Sequence, residues 1–245
     1  MNKIILSTLI CICSFMLNSC GNTNNQLDRI NTYNTNYESS HLSDYNIVDV
    51  DEVDMYQLFY DYGTKIKMLS ENQNIDDTVI IINERIITRK DIEIEKLNVT
   101  YLKNGSLKER VRMLIQNTVL TAEANRLGIQ PSDDKIMSYM KNIENAMDND
   151  DGQIGGYLDG ANISKEEYIS TNRELAYNMY QREALWSKIK ESMNTQIGSE
   201  SDKRGVSFDE IEKEYYNRYV DELINNANIK FLDTEIESIF CGDGV

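Results

Sequence analysis

A Ser or Thr followed three residues later by an acidic residue recurs along this chain, and this motif constrains the fold more than any other feature. In such a capping box the hydroxyl accepts a hydrogen bond from the first helical turn, and the carboxylate accepts one from the Ser or Thr backbone N–H. The four motifs are Thr88 with Asp91, Ser106 with Glu109, Ser164 with Glu167, and Ser207 with Glu210. They predict four helix starts and therefore a mainly helical protein.

Further signals extend this helical prediction. The helix that begins after Ser106 is predicted to end at Gly128, because Gly readily closes a helix. Ser132 is predicted to cap the next helix, whose first turn contains Asp133 and Asp134. The chain has a single proline, which suits helices better than a β-rich fold with many turns.

A small β component is also expected. Two β-branched runs, residues 79–82 and 85–87, flank Asn83-Glu84 and predict a hairpin. Ile229 and Phe231 alternate with polar residues, which indicates a short strand that could pair with the hairpin. The predicted fold class is therefore mainly α, with a small β-hairpin and a short C-terminal strand.

A mostly apolar run near the N-terminus stops at Cys20, where the chain turns polar. Lys3 precedes the run, and residues 4–17 are fewer than the about 20 that a permanent transmembrane helix needs. This pattern is typical of a secretory signal, and L-N-S-C at 17–20 resembles a bacterial lipobox. The resemblance implies a lipoprotein signal peptide over residues 1–19 and lipid attachment at Cys20. An ordinary cleaved signal and an uncleaved anchor stay open as alternatives.

The rest of the chain divides by composition. Residues 20–50 are predicted to be a flexible polar tether, because Asn, Thr and Ser cannot bury enough apolar surface. Residues 51–71 are predicted to form an additional amphipathic helix, with Gly63 as a weak point. Residues 79–232 form the predicted helical domain, and 233–245 a C-terminal tail. Whether the additional helix packs on the domain, exchanges into a second chain or contacts a partner stays open.

Charge and cysteine usage narrow the partners. The formal net charge is -16 at pH 7, and removal of Lys3 with the signal makes the mature chain more negative. This charge argues against a nucleic-acid partner and against a chain lying flat on anionic lipid. Cys11 and Cys13 fall in the predicted signal, so Cys241 is the free thiol of a chain lipidated at Cys20. Packing alone must then hold the fold.

Four segments, in this order, resemble the chaperone domain of the SurA and PrsA group of extracytoplasmic foldases, with related helices in trigger factor. The segments are INERIITRKDI, LIQNTVLTAEANRLGIQPSDDKI, ISKEEYISTN and GVSFDEIEKEYYNRY. The matching residues are Asn83, Ile87, Thr88, Ala124, Leu127, Gly128, Ile129, Ser132, Asp133, Ile136, Tyr168, Ile211, Tyr215 and Tyr216. Glu84 stands where the family's turn usually has Gly, which affects only the expected turn type.

The resemblance implies a chaperone-like lipoprotein on the outer, extracytoplasmic face of the cell membrane. It would bind unfolded or newly exported polypeptides without catalysis and without a cofactor. PrsA and SurA proteins usually contain a parvulin prolyl-isomerase domain with paired histidines, but the single histidine here, His41, lies in the tether. We therefore expect no isomerase activity, no catalytic residue and no metal site.

Three residues beside the apolar stripes of their helices are predicted to be exposed and to bind peptides: Met137, Tyr139 and Tyr216. Methionine and aromatic side chains adapt to varied apolar partners. Tyr215 and Tyr219 lie at the spacing of a core-facing stripe and are predicted to pack inside.

The acidic segment DNDDGQIGGYLDG, residues 148–160, invites comparison with a calcium-binding loop. An EF-hand loop needs carboxylates at its first and twelfth positions, where this chain would place Met147 and Leu158. The segment is therefore predicted to be a flexible acidic loop, and weak calcium binding at residues 148–159 stays open.

Two other functions fit the same sequence. One is an assembly lipoprotein that binds a single dedicated envelope partner, with a homodimer open. The other is a non-catalytic accessory of a prolyl isomerase. A broad apolar cleft would favour the chaperone, a single narrow patch would favour the dedicated partner, and co-purification of a catalytic partner would favour the accessory.

Overall fold

The computed structural model describes residues 54–72, 77–150 and 152–241. The predicted signal peptide, the lipid-attachment residue Cys20 and the whole of the predicted tether lie outside these residues. The elements are α1 (Met55–Glu71), β1 (Thr78–Ile82), β2 (Arg85–Thr88), α2 (Arg89–Leu102), α3 (Leu107–Arg126), α4 (Asp133–Asp148), α5 (Gln153–Ala161), α6 (Lys165–Arg204), α7 (Phe208–Asn226), β3 (Ile229–Phe231) and α8 (Thr234–Cys241). The protein is mainly helical with a small sheet, as predicted.

All four predicted capping boxes are present, at the starts of α2, α3, α6 and α7. In each, the Ser or Thr side chain and the acidic side chain exchange hydrogen bonds with backbone N–H groups three residues apart. Ser132 occupies the N-cap position of α4 but makes no side-chain capping bond. Asp133 and Asp134 supply negative charge to that first turn instead. Gly128 follows the end of α3 at φ 64°, as the predicted stop requires.

The sheet has the strand order β2-β1-β3, and both pairings are antiparallel. In the hairpin turn Asn83 adopts φ 54°, which Asn tolerates better than most residues. Glu84 keeps a negative φ, so glycine is not needed there. Asn83 also anchors β3, because its N–H donates to the Asn228 carbonyl and its Oδ1 accepts from the Asn228 N–H, each at 2.9 Å. The predicted hairpin and terminal strand are both confirmed.

Three apolar clusters form the interior. The first joins α1, α2, α4, α5 and α6, the second packs the sheet against α2, α3 and α8, and the third lies between α3, α6 and α7. Helix α8 falls within the residues set apart as a tail, yet its Ile236 is buried in the second cluster. Asp233 accepts from the backbone N–H groups of Glu235 and Ile236 and pairs with Arg89. These contacts fix α8 to the domain.

Helices α1 and α5 pack with their backbones in direct contact at glycines. A Cβ atom added to Gly160 would lie 2.0 Å from the carbonyl oxygen of Tyr60, and one added to Gly63 would lie 2.6 Å from that of Tyr157. Gly156, one turn before Gly160 on the same face of α5, meets α1 at 2.3 Å in the same way. The additional helix therefore packs on the domain, and Gly63 is one of the three points at which the two backbones meet.

The prediction of a flexible acidic loop is wrong for most of its residues, because 153–161 form helix α5. The Asp150 carboxylate accepts from the backbone N–H groups of Ile154 at 2.8 Å and Gly155 at 2.6 Å. This carboxylate therefore stabilises the first turn of α5. Gly152 precedes it at φ 100°. The glycines indicated flexibility in sequence, but in the fold they allow the close contact with α1.

A chain of buried polar groups links α1, α2 and α3. The Tyr62 hydroxyl donates to Asn98 Oδ1 at 2.7 Å, the Asn98 amide donates to Glu95 at 2.8 Å, and Arg110 Nε donates to the same carboxylate at 2.5 Å. Glu95 is 1% exposed and Arg110 5%. Burial raises the pKa of Glu95, and Arg110 and Asn98 oppose that rise. The hydrogen bonds offset part of the cost of burying both charges.

Replacing Gly160 with Ala should lower the free energy of unfolding by about 1–3 kcal/mol or more, because the added methyl group overlaps the α1 backbone. Gly198→Ala is the matched control, since Gly198 lies inside α6 with no atom within 4 Å of an added Cβ. That change should stabilise the protein by roughly 0.5–1 kcal/mol through helix propensity. Chemical denaturation measures both, and equal effects of the two substitutions would contradict the backbone contact.

Replacing Arg110 with Met should lower the free energy of unfolding by about 3–5 kcal/mol, because it leaves the Glu95 carboxylate buried without its countercharge. The loss should shrink as the pH falls, because Arg110 opposes the rise in the pKa of Glu95 and its removal should raise that pKa further. With its pKa raised above the unfolded value, Glu95 binds a proton in the folded state before it does in the unfolded chain. Because the pKa of Glu95 should be higher in the variant, protonation on lowering the pH favours the folded state of the variant more than that of the unmodified protein.

Chemical denaturation at several pH values measures this dependence. Arg112→Met is the control, because Arg112 pairs with Asp221 at the surface, where their side chains are 54% and 52% exposed. It should cost at most about 1 kcal/mol. A loss for Arg110→Met that does not change with pH would count against the buried pair as its origin.

Candidate functional site

The third cluster is the least covered part of the described interior. Its fully buried members are Leu120, Ala124, Ile129, Leu185 and Val220. Its partly buried members are Leu127, Ala184, Ile189, Tyr216, Tyr219, Leu223 and Ile224. Partly buried residues outnumber buried ones here, whereas in the first cluster the buried residues are the majority. We name this region, together with the adjoining Trp186, the α3–α6–α7 surface.

Aromatic rings form the centre of the α3–α6–α7 surface. Trp186 of α6 meets Tyr216 of α7 edge to face, with ring centroids 5.0 Å apart and planes at 82°. Tyr219, almost one turn further along α7, lies 6.3 Å from the same indole. These distances suit favourable aromatic contacts. The rings hold α6 and α7 together and leave part of their area open to solvent, because all three are only partly buried.

Polar groups surround the rings and fix their orientation. The Trp186 indole N–H donates to Glu212 at 3.2 Å, and Lys190 pairs with the other oxygen of Glu212 at 2.6 Å. The Tyr219 hydroxyl is buried and has no hydrogen-bond partner in the described part of the chain. Burial raises the pKa of Tyr219 to about 12, so this hydroxyl stays neutral and can still donate at neutral pH.

The three residues predicted to bind peptides lie in different places in the fold and differ in exposure. Met137 on α4 is 57% exposed, in agreement with its predicted exposure. Tyr139 is only 8% exposed, so its predicted exposure is wrong. Its ring faces α6 and packs edge to face on Tyr180 at 6.2 Å. Tyr216 belongs to the α3–α6–α7 surface, and Trp186 covers part of it.

Tyr215 and Tyr219 of α7 were both predicted to pack inside, and the structure agrees for only one of them. Tyr219 packs in the third cluster as predicted. Tyr215 is partly buried outside the clusters, its hydroxyl donating to Glu200 at 2.9 Å and its ring lying 4.5 Å from the Arg218 guanidinium carbon. Helical spacing indicates which residues share a face of α7, but it does not indicate how much of that face the neighbouring helix covers.

Two carboxylates of the acidic segment are engaged in helix contacts. Asp150 caps α5, as described above, and Asp159 accepts from the Tyr56 hydroxyl of α1 at 2.7 Å. Within residues 54–72, 77–150 and 152–241, no group of three or more His, Cys, Asp or Glu side chains is arranged to hold a metal ion. Asp150 thus stabilises the start of α5, and Asp159 stabilises the packing of α5 on α1.

Comparison with protein-family models, curated proteins and solved structures found no match to this chain. The likeness to extracytoplasmic chaperones therefore depends on the sequence segments alone. Among the described helices, none is both long and apolar enough to cross a membrane.

Replacing Tyr219 with Phe should raise the free energy of unfolding by about 1 kcal/mol, because it removes a buried hydroxyl that lacks a partner. Tyr215→Phe is the matched control on the same helix and should lower the free energy of unfolding slightly, since that hydroxyl donates to Glu200. Thermal and chemical denaturation measure both. Destabilisation by Tyr219→Phe would show that this hydroxyl is bonded in solution.

Proposed function

We propose that this protein is a lipid-anchored chaperone that binds unfolded or newly exported polypeptides outside the cytoplasm, and that clients bind at the α3–α6–α7 surface. The observation that carries the proposal is the incomplete cover of this cluster by its own helices. Trp186, Tyr216 and Tyr219 offer aromatic area beside aliphatic side chains, and such surfaces bind apolar segments of varied sequence.

The mechanism is reversible binding rather than chemistry. A client segment replaces water over the partly buried side chains, and each contact contributes in proportion to the apolar area that it covers. The area around a few partly covered side chains is small, so each segment binds weakly and leaves without an energy source. The net charge of -16 keeps the protein and its client soluble.

The position in the cell is the part of the proposal that comes from the sequence. The resemblance of residues 17–20 to a lipobox supports attachment at Cys20, and two or three acyl chains would anchor the protein stably. The polar residues that follow would give the domain reach from the membrane. A chaperone at the outer face of the cell membrane would meet exported chains as they emerge.

The proposal is tested with the chain from Gly21 to Val245, which contains every described element and lacks the lipid. Light scattering of a heated or reduced client should be suppressed at near-stoichiometric amounts of this chain. Tyr216→Ala should weaken the suppression several-fold. Tyr177→Ala should not, because Tyr177 lies on the same helix α6 as Trp186 and is 37% exposed but belongs to no part of the α3–α6–α7 surface.

Two further outcomes separate the alternatives. If Met137→Ala weakens suppression and Tyr216→Ala does not, clients bind at α4 and the proposed surface is wrong. If several unrelated clients show no suppression, general chaperoning is wrong. A pull-down from envelope extracts would then look for one dedicated partner, or for a prolyl isomerase that this protein assists.

A further inference from the structure

Arg182 lies on helix α6 one turn before Trp186, so both side chains emerge on the same side of the helix. It is partly exposed, which leaves it within reach of an incoming group. Its Nη1 atom lies 3.4 Å from the Thr121 hydroxyl of α3, and its charge is close enough to Tyr216 of α7 to affect the pKa of that hydroxyl. The guanidinium therefore lies where the three helices of the α3–α6–α7 surface meet.

The contacts of Arg182 use little of its bonding capacity. A guanidinium has five N–H donors in a fixed plane, and the hydrogen bond to Thr121 is long. Within the described chain Arg182 forms no ion pair, although burial lowers its pKa to about 10. A charge that is partly withdrawn from water gains from a countercharge, and the buried Arg110 of this same domain has the carboxylate of Glu95 at 2.5 Å.

Three acidic side chains of the same helices pair with other cations, although the second carboxylate oxygen of Glu183 is buried without a hydrogen-bond partner in the described chain. Glu183, next to Arg182 in sequence, pairs with Lys135 of α4. Glu123 of α3 pairs with Arg126 at 2.6 Å. Glu212 of α7 holds Lys190 and the Trp186 indole. The three packed helices thus bring an under-bonded cation next to aromatic rings, while these three carboxylates pair with other cations.

We propose that Arg182 binds a carboxylate group of the polypeptide held at the α3–α6–α7 surface, so that clients with a carboxylate beside an apolar side chain are preferred. This inference rests on the proposed function. A planar carboxylate matches the guanidinium plane and can accept two parallel hydrogen bonds. The ligand's apolar side chain would lie against Tyr216 and Trp186 while its carboxylate met Arg182.

The net negative charge of the protein restricts this preference to direct contact with Arg182. At long range a net charge of -16 repels anions, so a carboxylate gains nothing from the general field of the protein. Any preference for it must come from a short-range contact. An acidic client is therefore selected only where its carboxylate reaches the guanidinium.

The test uses the chain from Gly21 to Val245 and its single tryptophan, Trp186, as a fluorescent reporter within the surface itself. Three versions of one short apolar peptide without tryptophan are titrated: one with a free C-terminal carboxylate, one with a C-terminal amide, and one amide with a single Glu. The two carboxylate peptides should bind about tenfold more tightly than the plain amide. Comparing them distinguishes a terminal carboxylate from a side-chain one.

Variants assign the preference to Arg182. Arg182→Gln should remove the preference, so that the three peptides bind this variant with about equal affinity. Arg182→Lys should keep part of it, because an ammonium group keeps the charge but not the planar fork. Arg173→Gln is the matched control, since it removes the same charge from an exposed position of α6 and should change nothing. Circular dichroism checks that each variant is folded.

Each outcome decides between distinct conclusions. Equal binding of all three peptides by the unmodified protein would overturn the role of Arg182 and leave the proposed function standing. A preference that survives in Arg182→Gln, or is lost in Arg173→Gln, would overturn it as well. If the unmodified protein binds none of the peptides, the proposed function fails and the inference fails with it.

Discussion

Helices α1 and α5 are in backbone contact at Gly63, Gly156 and Gly160, and the first apolar cluster depends on that contact. Only glycine allows an approach in which an added Cβ would lie 2.0–2.6 Å from a carbonyl oxygen of the opposing helix. The approach brings Phe59, Tyr62 and Ile66 of α1 into the interior. Tyr62 then reaches Asn98, and through Glu95 and Arg110 the same helix is connected to α3. The close packing of α1 on α5 therefore places the buried polar groups where they can bond to one another.

Local signals in the sequence predicted most of the helix starts and the sheet. Capping boxes act within one turn, and the hairpin depends on two residues, so both can be recognised without knowledge of the fold. Helix α5 could not be recognised in this way, because its glycines stabilise the fold only when α1 lies against them. The missed burial of Tyr139 has a similar cause, since it depends on contact with Tyr180, which lies 41 residues later in the sequence.

For the candidate site too, the sequence predicts which residues share a helix face but not which helices meet there. Helical spacing places Tyr216 off the main apolar stripe of α7, and Tyr216 was therefore predicted to be exposed and to bind peptides. The spacing could not show that Trp186 meets it edge to face, or that Arg182 lies beside both without a carboxylate. Those facts come from how α3, α6 and α7 cross. A surface that combines aromatic area with an under-bonded cation is thus a property of the assembled helices.

Helix α6 has 40 residues, a length of about 60 Å at the usual helical rise. Tyr168, Leu175 and Ala176 near its start belong to the first cluster, and Leu185 further along belongs to the third. The two clusters therefore share one continuous helix. Neither can lose its packing without releasing part of the other, so the helical body should unfold as one cooperative unit rather than in two stages. The incompletely covered surface, near the middle of the helix, thereby draws its rigidity from a core packed on the first half of the same helix.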